Sequence, residues 1–196
     1  MQLAVDFFQR EKVTQIARDL LGMVLSTRMN GIETAGLIVE TEAYSWRERG
    51  CHAYNNRKTV RNEVMFGPGG HAYVYLCYGI HNLFNIVTNR EGRAEAVLIR
   101  ALEPVSGYEQ MLDRMRANSL KAITSGPGKL TRALGIDRTH NGKYLLGDEI
   151  WIEQGTPIKR NQIVSSPRIG IDYAGEDAEL PWRFTIRDSD WVSKKG

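Results

Sequence analysis

The run VYLCYGIHNLFNIV, Val74 to Val87, constrains the fold more than any other stretch of this chain. Two segments rich in β-formers flank Tyr78 and Gly79, and glycine permits the backbone that a bend needs. The run reads as two strands with an exposed tyrosine at or beside their bend. A third β-rich run, AEAVLIRALEP, follows at once. Upstream, GMVLSTRM and AGLIVETEAY read as strands; downstream, DEIWIEQG, RIGIDY and WRFTIRD do so.

Helical spacing is confined to three places. Val13, Ile16, Ala17, Leu20 and Leu21 form one stripe, with Gly22 placed to cap it. Tyr108, Met111, Leu112 and Met115 form a second, whose methionines belong in a core, and SGPGKLTRALGI reads as a short third helix. Residues 45–70 are polar and glycine-rich, too long for a plain connection, so they form a functional loop or carry structure of their own. The irregular succession of helices and strands predicts a mixed α+β class rather than a βαβ alternation. With 196 residues and 42% hydrophobic residues, one compact domain spanning 1–196 is expected.

Charge narrows function only slightly. A net charge of +3 is compatible with a polyanionic partner and equally with ordinary solubility. The two cysteines, Cys51 and Cys77, show neither CxxC nor zinc-ligand spacing, so no metal or disulfide scaffold is expected and free thiols in a reducing compartment are. Neither a signal peptide nor an apolar run of about 18 residues is visible, which predicts an intracellular protein away from membranes. Nothing requires an oligomer, so a monomer is expected.

The strand AGLIVETEAY carries the first chemical signal. Period 2 places Leu37, Val39, Thr41 and Ala43 on one face, a core face, and Ile38, Glu40, Glu42 and Tyr44 on the other. Two carboxylates about 6.8 Å apart beside an aromatic ring either face solvent at an edge or line a cleft, where partial burial would suit one of them to act as a base. Periodicity does not choose between Glu40 and Glu42. Tyr73 and Tyr75 share a face of the next strand, Leu83 and Asn85 share one after the bend, and His52 lies in the polar loop. Rings to stack on and an amide to read an edge suit a flat π ligand such as a nucleobase. Arg100 is either a strand-end residue reaching solvent or a partner for a buried carboxylate.

The blocks IVETEAY, RNEVMF, YVYLCYG, VLIRALEP, SGPGKL and RIGIDYAGE…WRFTIRDSDWVS occur in one order along nearly the whole chain. In that order the chain resembles the alkyladenine (3-methylpurine) DNA glycosylase family, in its compact form. The resemblance implies a curved antiparallel sheet with surrounding helices, and no cofactor. It implies excision of alkylated and deaminated purines, among them 3-methyladenine, hypoxanthine and ethenoadenine, from duplex DNA. It makes Glu42 the general base and Arg100 the arginine beside the attacking water. Tyr44, His52 and Tyr75 become the base-stacking pocket, and Asn85 the residue that tests the purine edge. Ile169 supplies a backbone carbonyl near the water, and Tyr78 is the residue inserted into the duplex. A single displacement by water then predicts a monofunctional enzyme without lyase activity. The rival reading is a binding protein that flips a damaged base without cutting it; the presence of Glu42 with Arg100 favours the enzyme. Arg57, Lys58, Arg61 and Lys129 are candidates for phosphate contacts.

Overall fold

A computed structural model describes residues 1–194 of the chain; the last two positions of the expected 1–196 domain lie outside the described residues. One sheet organises the molecule. Its strands are β1 (Val24–Met29), β2 (Ile32–Ser45), β3 (Ala72–Cys77), β4 (His81–Thr88), β5 (Glu95–Ser106), β6 (Ile150–Glu153), β7 (Ile163–Ser166) and β8 (Arg183–Ile186). They run β3-β4-β5-β2-β1-β6 across the sheet, with β8 on β2 and β7 on β8, and every pairing is antiparallel. With α1 (Val5–Phe8), α2 (Val13–Asp19), α3 (Tyr108–Met115) and α4 (Pro127–Leu134), this is the expected α+β class in one compact domain.

The two faces of the sheet are packed differently. On one face lies the main core, where Val13, Ile16 and Ala17 of α2, Met111 of α3 and Leu130 and Leu134 of α4 meet Ile38, Phe84, Val97 and Ile99. The helices begin and end where their sequence allows. Pro127 opens α4, where its missing N–H is no loss, and Gly135 in the left-handed region closes it at φ 75°. Gly22 does not cap α2: at φ 82° it sends its N–H to Ile38, and a Cβ there would lie 2.1 Å from the Thr156 carbonyl. Its absent side chain serves a chain crossing instead. On the other face, loop 46–71 folds over β3, β4 and β5 and encloses a second, smaller cluster with Cys51, Met65, Tyr73 and Ala96. That loop holds short 3-10 turns at Tyr54–Asn56 and Glu63–Phe66, so it is partly structured.

Strand β2 departs from simple alternation. Its pairing with β5 slips between Ile38 and Thr41: Val39 is extra on β2 and Arg100 is extra on β5. A bulge shifts the parity of everything beyond it. Ile38 therefore joins the main core beside Ala43, rather than sharing a face with Glu42 and Tyr44. The expected core face of Leu37, Val39, Thr41 and Ala43 holds only for Thr41 and Ala43. Two further expectations fail. RIGIDY is no strand: after Pro167, Gly170 turns at φ 77° and a 3-10 segment spans Asp172–Glu179. The ladder strand near it is β7, which sequence reading passed over because four polar-flanked residues carry too little pattern.

Candidate active site

Antiparallel pairing assembles the site in rows. Tyr73 pairs Asn85, Asn85 pairs Leu98, Leu98 pairs Glu42, and Glu42 pairs Arg183, so five strands contribute to one line across the sheet. Directly opposed residues share a face, and this row faces loop 46–71 rather than the helices. Between them opens a cavity of about 650 Å³ lined by Tyr44, His52, Tyr75, Asn85, Arg100 and Ile169, with others. Thus the structure brings together every pocket residue expected from sequence.

Glu42 lies beneath this cavity at 0% exposure. Its Oε2 accepts from the Tyr44 hydroxyl at 2.7 Å and from Arg100 Nη1 at 3.4 Å, and its Oε1 accepts from the Ile169 N–H at 2.7 Å. All three partners line the cavity. Ile169 therefore meets the carboxylate through its amide. Burial, the Glu42 charge and the bond to it push the Tyr44 phenol well above its ordinary pKa, so the hydroxyl remains a donor.

Glu40 has a different environment, and this resolves the ambiguity that periodicity left. It is also wholly buried, but it accepts from Arg100 Nε at 2.9 Å, Arg183 Nε at 2.7 Å, the Ser193 N–H at 2.6 Å and the Ser193 hydroxyl at 2.9 Å. Burial alone would raise its pKa; Arg100, the Ser193 amide and Arg183 outweigh that and hold it below the usual carboxylate value. A carboxylate with four donors has little basicity to offer. Arg100 is not a strand-end residue: it sits in the middle of β5, 7% exposed, bridging both glutamates.

The aromatic wall forms around His52. Its Nδ1 lies 2.8 Å from the Tyr73 hydroxyl, and its ring meets Tyr75 edge-on at 4.7 Å between centroids. Burial among these rings, then the Arg61 charge, lower its pKa to about 4. The residue is exposed along one side, so solvent screens part of this shift, but the direction favours a neutral imidazole. Asn85 donates Nδ2 to the Tyr73 carbonyl at 3.1 Å, which fixes its amide at the cavity wall. Tyr78 stands apart at the β3–β4 bend. Both Tyr78 and Gly79 are in the left-handed region, φ 49° and 74°, and Tyr78 is 89% exposed at the cavity rim.

Two contributors escaped the sequence reading. Arg168 is buried and grips Glu48 through both oxygens at 2.7 and 2.6 Å; it also donates to the Ala43 carbonyl and stacks 4.7 Å from the Tyr44 ring centre. Ser193 was missed as well. The Arg168–Glu48 partners lie 120 residues apart. No local period encodes such a pair; the only hint is that Arg168 adjoins Ile169. Among the described residues no cluster of histidine, cysteine, aspartate and glutamate is arranged to hold a metal, and no helix is long and apolar enough to cross a membrane.

An aromatic cavity whose wall includes an arginine, a tyrosine and a backbone amide that together hold a buried carboxylate defines a site for a planar ligand with acid–base chemistry at one edge. The family model described as methylpurine-DNA glycosylase (MPG) matches residues 6–190. The chain belongs to the methylpurine-DNA glycosylase family, a family of DNA-repair hydrolases. Relatives named "Putative 3-methyladenine DNA glycosylase" include one from Carboxydothermus hydrogenoformans, 50% identical with 100% of both chains covered. One from Natranaerobius thermophilus is 45% identical over 98% of this chain and 99% of its own. Another, from Methanocella arvoryzae, is 48% identical over 97% of this chain and 94% of its own.

Proposed function

We propose that this protein excises damaged purines from duplex DNA, alkylated ones such as 3-methyladenine and deaminated or etheno ones such as hypoxanthine and ethenoadenine. Water activated by Glu42 hydrolyses the N-glycosidic bond. The observation that carries this reading is the placement of Glu42: wholly buried and held by Tyr44, Arg100 and the Ile169 amide, three groups that line an aromatic cavity of about 650 Å³, room enough for a purine.

A glycosidic bond inside a duplex is inaccessible, so the nucleotide must be rotated out at a cost of a few kcal/mol, least for a damaged pair. Tyr78, exposed on its bend, fills the vacated place in the stack. The extruded base stacks among Tyr44, His52 and Tyr75. Asn85, its amide anchored on Tyr73, crowds the exocyclic amine of guanine, which hypoxanthine and adenine derivatives lack. As the bond to C1′ lengthens, positive charge grows on the sugar. Glu42 stabilises that charge and takes the proton of the incoming water; Arg100 orients the carboxylate, and the Ile169 carbonyl helps hold the water. Water displaces the base in one step, so no enzyme–DNA adduct forms and no strand is cut. The enzyme works as an intracellular monomer without a cofactor.

The test is a duplex carrying one hypoxanthine or ethenoadenine, incubated and then treated with alkali to reveal abasic sites. Wild type cuts in alkali and leaves the strand intact without it. Glu42→Gln binds the lesion but loses at least about 10²-fold in rate. Equal rates in both would overturn the assignment of the base, and lesion binding without excision by wild type would make the protein a damaged-base binder.

A further inference from the structure

The segment after β8 reaches back to the centre of the sheet. Ser193 places both its N–H and its hydroxyl on Glu40, at 2.6 and 2.9 Å, and its hydroxyl also accepts from Arg100 Nη2 at 3.3 Å. Arg183 holds the same segment, donating Nη2 to the Lys194 carbonyl at 2.5 Å and Nε to Glu40 at 2.7 Å.

The consequence falls on Arg100. Its guanidinium has three nitrogens and each has a separate anchor: Nε on Glu40, Nη2 on Ser193 and Nη1 on Glu42. The first two contacts are on the side away from the cavity. They fix the plane of the guanidinium, and so fix where Nη1 meets the Glu42 carboxylate. Arg100 also occupies the extra position of the β5 bulge, where ladder geometry does not restrain the backbone in the usual way. Side-chain anchoring takes over that task. Glu40 could not serve alone, because Arg183 already shares its Oε1; the Ser193 amide takes Oε2, so every oxygen is committed and the carboxylate cannot rotate.

We propose that Ser193 is a positioning residue of the active centre, setting Arg100 against Glu42 through Glu40. This rests on the glycosylase reading above. It also assigns Glu40 the part of a fixed anion rather than a second base. The segment Trp191–Ser193 is then a working part of the site.

Ser193→Ala removes the hydroxyl and keeps the amide; Ser193→Thr keeps both. Two readouts are used on the full chain. The first is the single-turnover excision rate on a hypoxanthine duplex, with duplex affinity and melting temperature measured alongside. Ser193→Ala is expected to lose roughly tenfold in rate, within the about 10²-fold that a 1 Å misplacement can cost. Affinity and melting temperature stay near wild type, and Ser193→Thr restores the rate. The second readout does not depend on activity: the NMR signal of the Arg100 Nε–H, identified by its loss in Arg100→Lys. It exchanges slowly in wild type and Ser193→Thr and quickly in Ser193→Ala. Wild-type exchange and rate in Ser193→Ala would overturn the proposal, as would a rate loss that Ser193→Thr fails to restore. An inactive wild type would sink the glycosylase reading, and the exchange measurement would still decide the role of Ser193.

Discussion

Two residues of one hairpin show how exposure separates roles. Tyr75 packs against His52 and Tyr73, while Tyr78, three residues on, has 89% of its surface in solvent. A large ring held in the left-handed region on an exposed bend contributes little to the fold, so its removal tests function alone. Tyr78→Ala should change the unfolding free energy by no more than an ordinary surface change, about ±0.5 kcal/mol. It should weaken binding to a lesion-containing duplex by about 5- to 150-fold by fluorescence anisotropy, stacking on a base being worth about 1–3 kcal/mol. A large loss of stability would instead make Tyr78 a packing residue. The same comparison sharpens the glutamate pair. Glu40 and Glu42 are equally buried and two residues apart, yet one is saturated by donors on the closed side of the sheet and the other meets the groups that line the cavity.

Among the elements, the segment that begins at Arg168 depends on a single charge pair. Arg168 joins Ala43 of β2, Glu48 of the following loop and the Asp177 carbonyl, while Glu48 also accepts the Gly50 N–H at 2.7 Å. Tyr44, the loop carrying His52 and the Ile169 amide are therefore tied through one guanidinium. Breaking a buried pair strands the other charge. Arg168→Met should lose about 3–5 kcal/mol in urea unfolding, and Arg168→Met combined with Glu48→Gln should recover a good part of it. A double variant as unstable as the sum of the singles would show that the two are not coupled. This pair also marks the limit of what the sequence makes legible. The β-rich runs around Tyr78 and the helical stripes were readable, because local period and turn chemistry report on neighbours; period left Glu40 and Glu42 equal, and only the family resemblance preferred Glu42. The double bulge that moved Ile38 into the core and left Arg100 unpaired in the β2–β5 ladder was not readable, because a shift of register is decided between strands. Nor was RIGIDY legible as a turn: its alternation mimics a strand, while its amide and side chain are claimed by Glu42 and Glu48.

For the molecule as a whole, the site has a cost that acid should expose. His52 titrates at about 4 in the folded protein against an ordinary 6.5, so between those values the unfolded chain binds a proton that the folded one refuses. Its contribution is complete above pH 6.5 and is lost as pH falls toward 4. Glu40, held below its ordinary 4.5, acts in the same direction but lower: its contribution is present above 4.5 and disappears as pH falls through its folded value. Glu95 opposes both. Burial raises it despite bonds from Asn89 and Ser45, so acidification through that range relieves a strain instead of creating one. Stability should therefore fall in two stages, with the upper stage belonging to His52. The melting temperature of His52→Gln should accordingly drop less between pH 7 and pH 4.5 than that of wild type, and the two curves should run parallel below pH 4. Solvent along one side of the ring limits the size of the difference but not its sign. Identical pH dependence in the two proteins would show that the imidazole is freely protonated in the folded cavity.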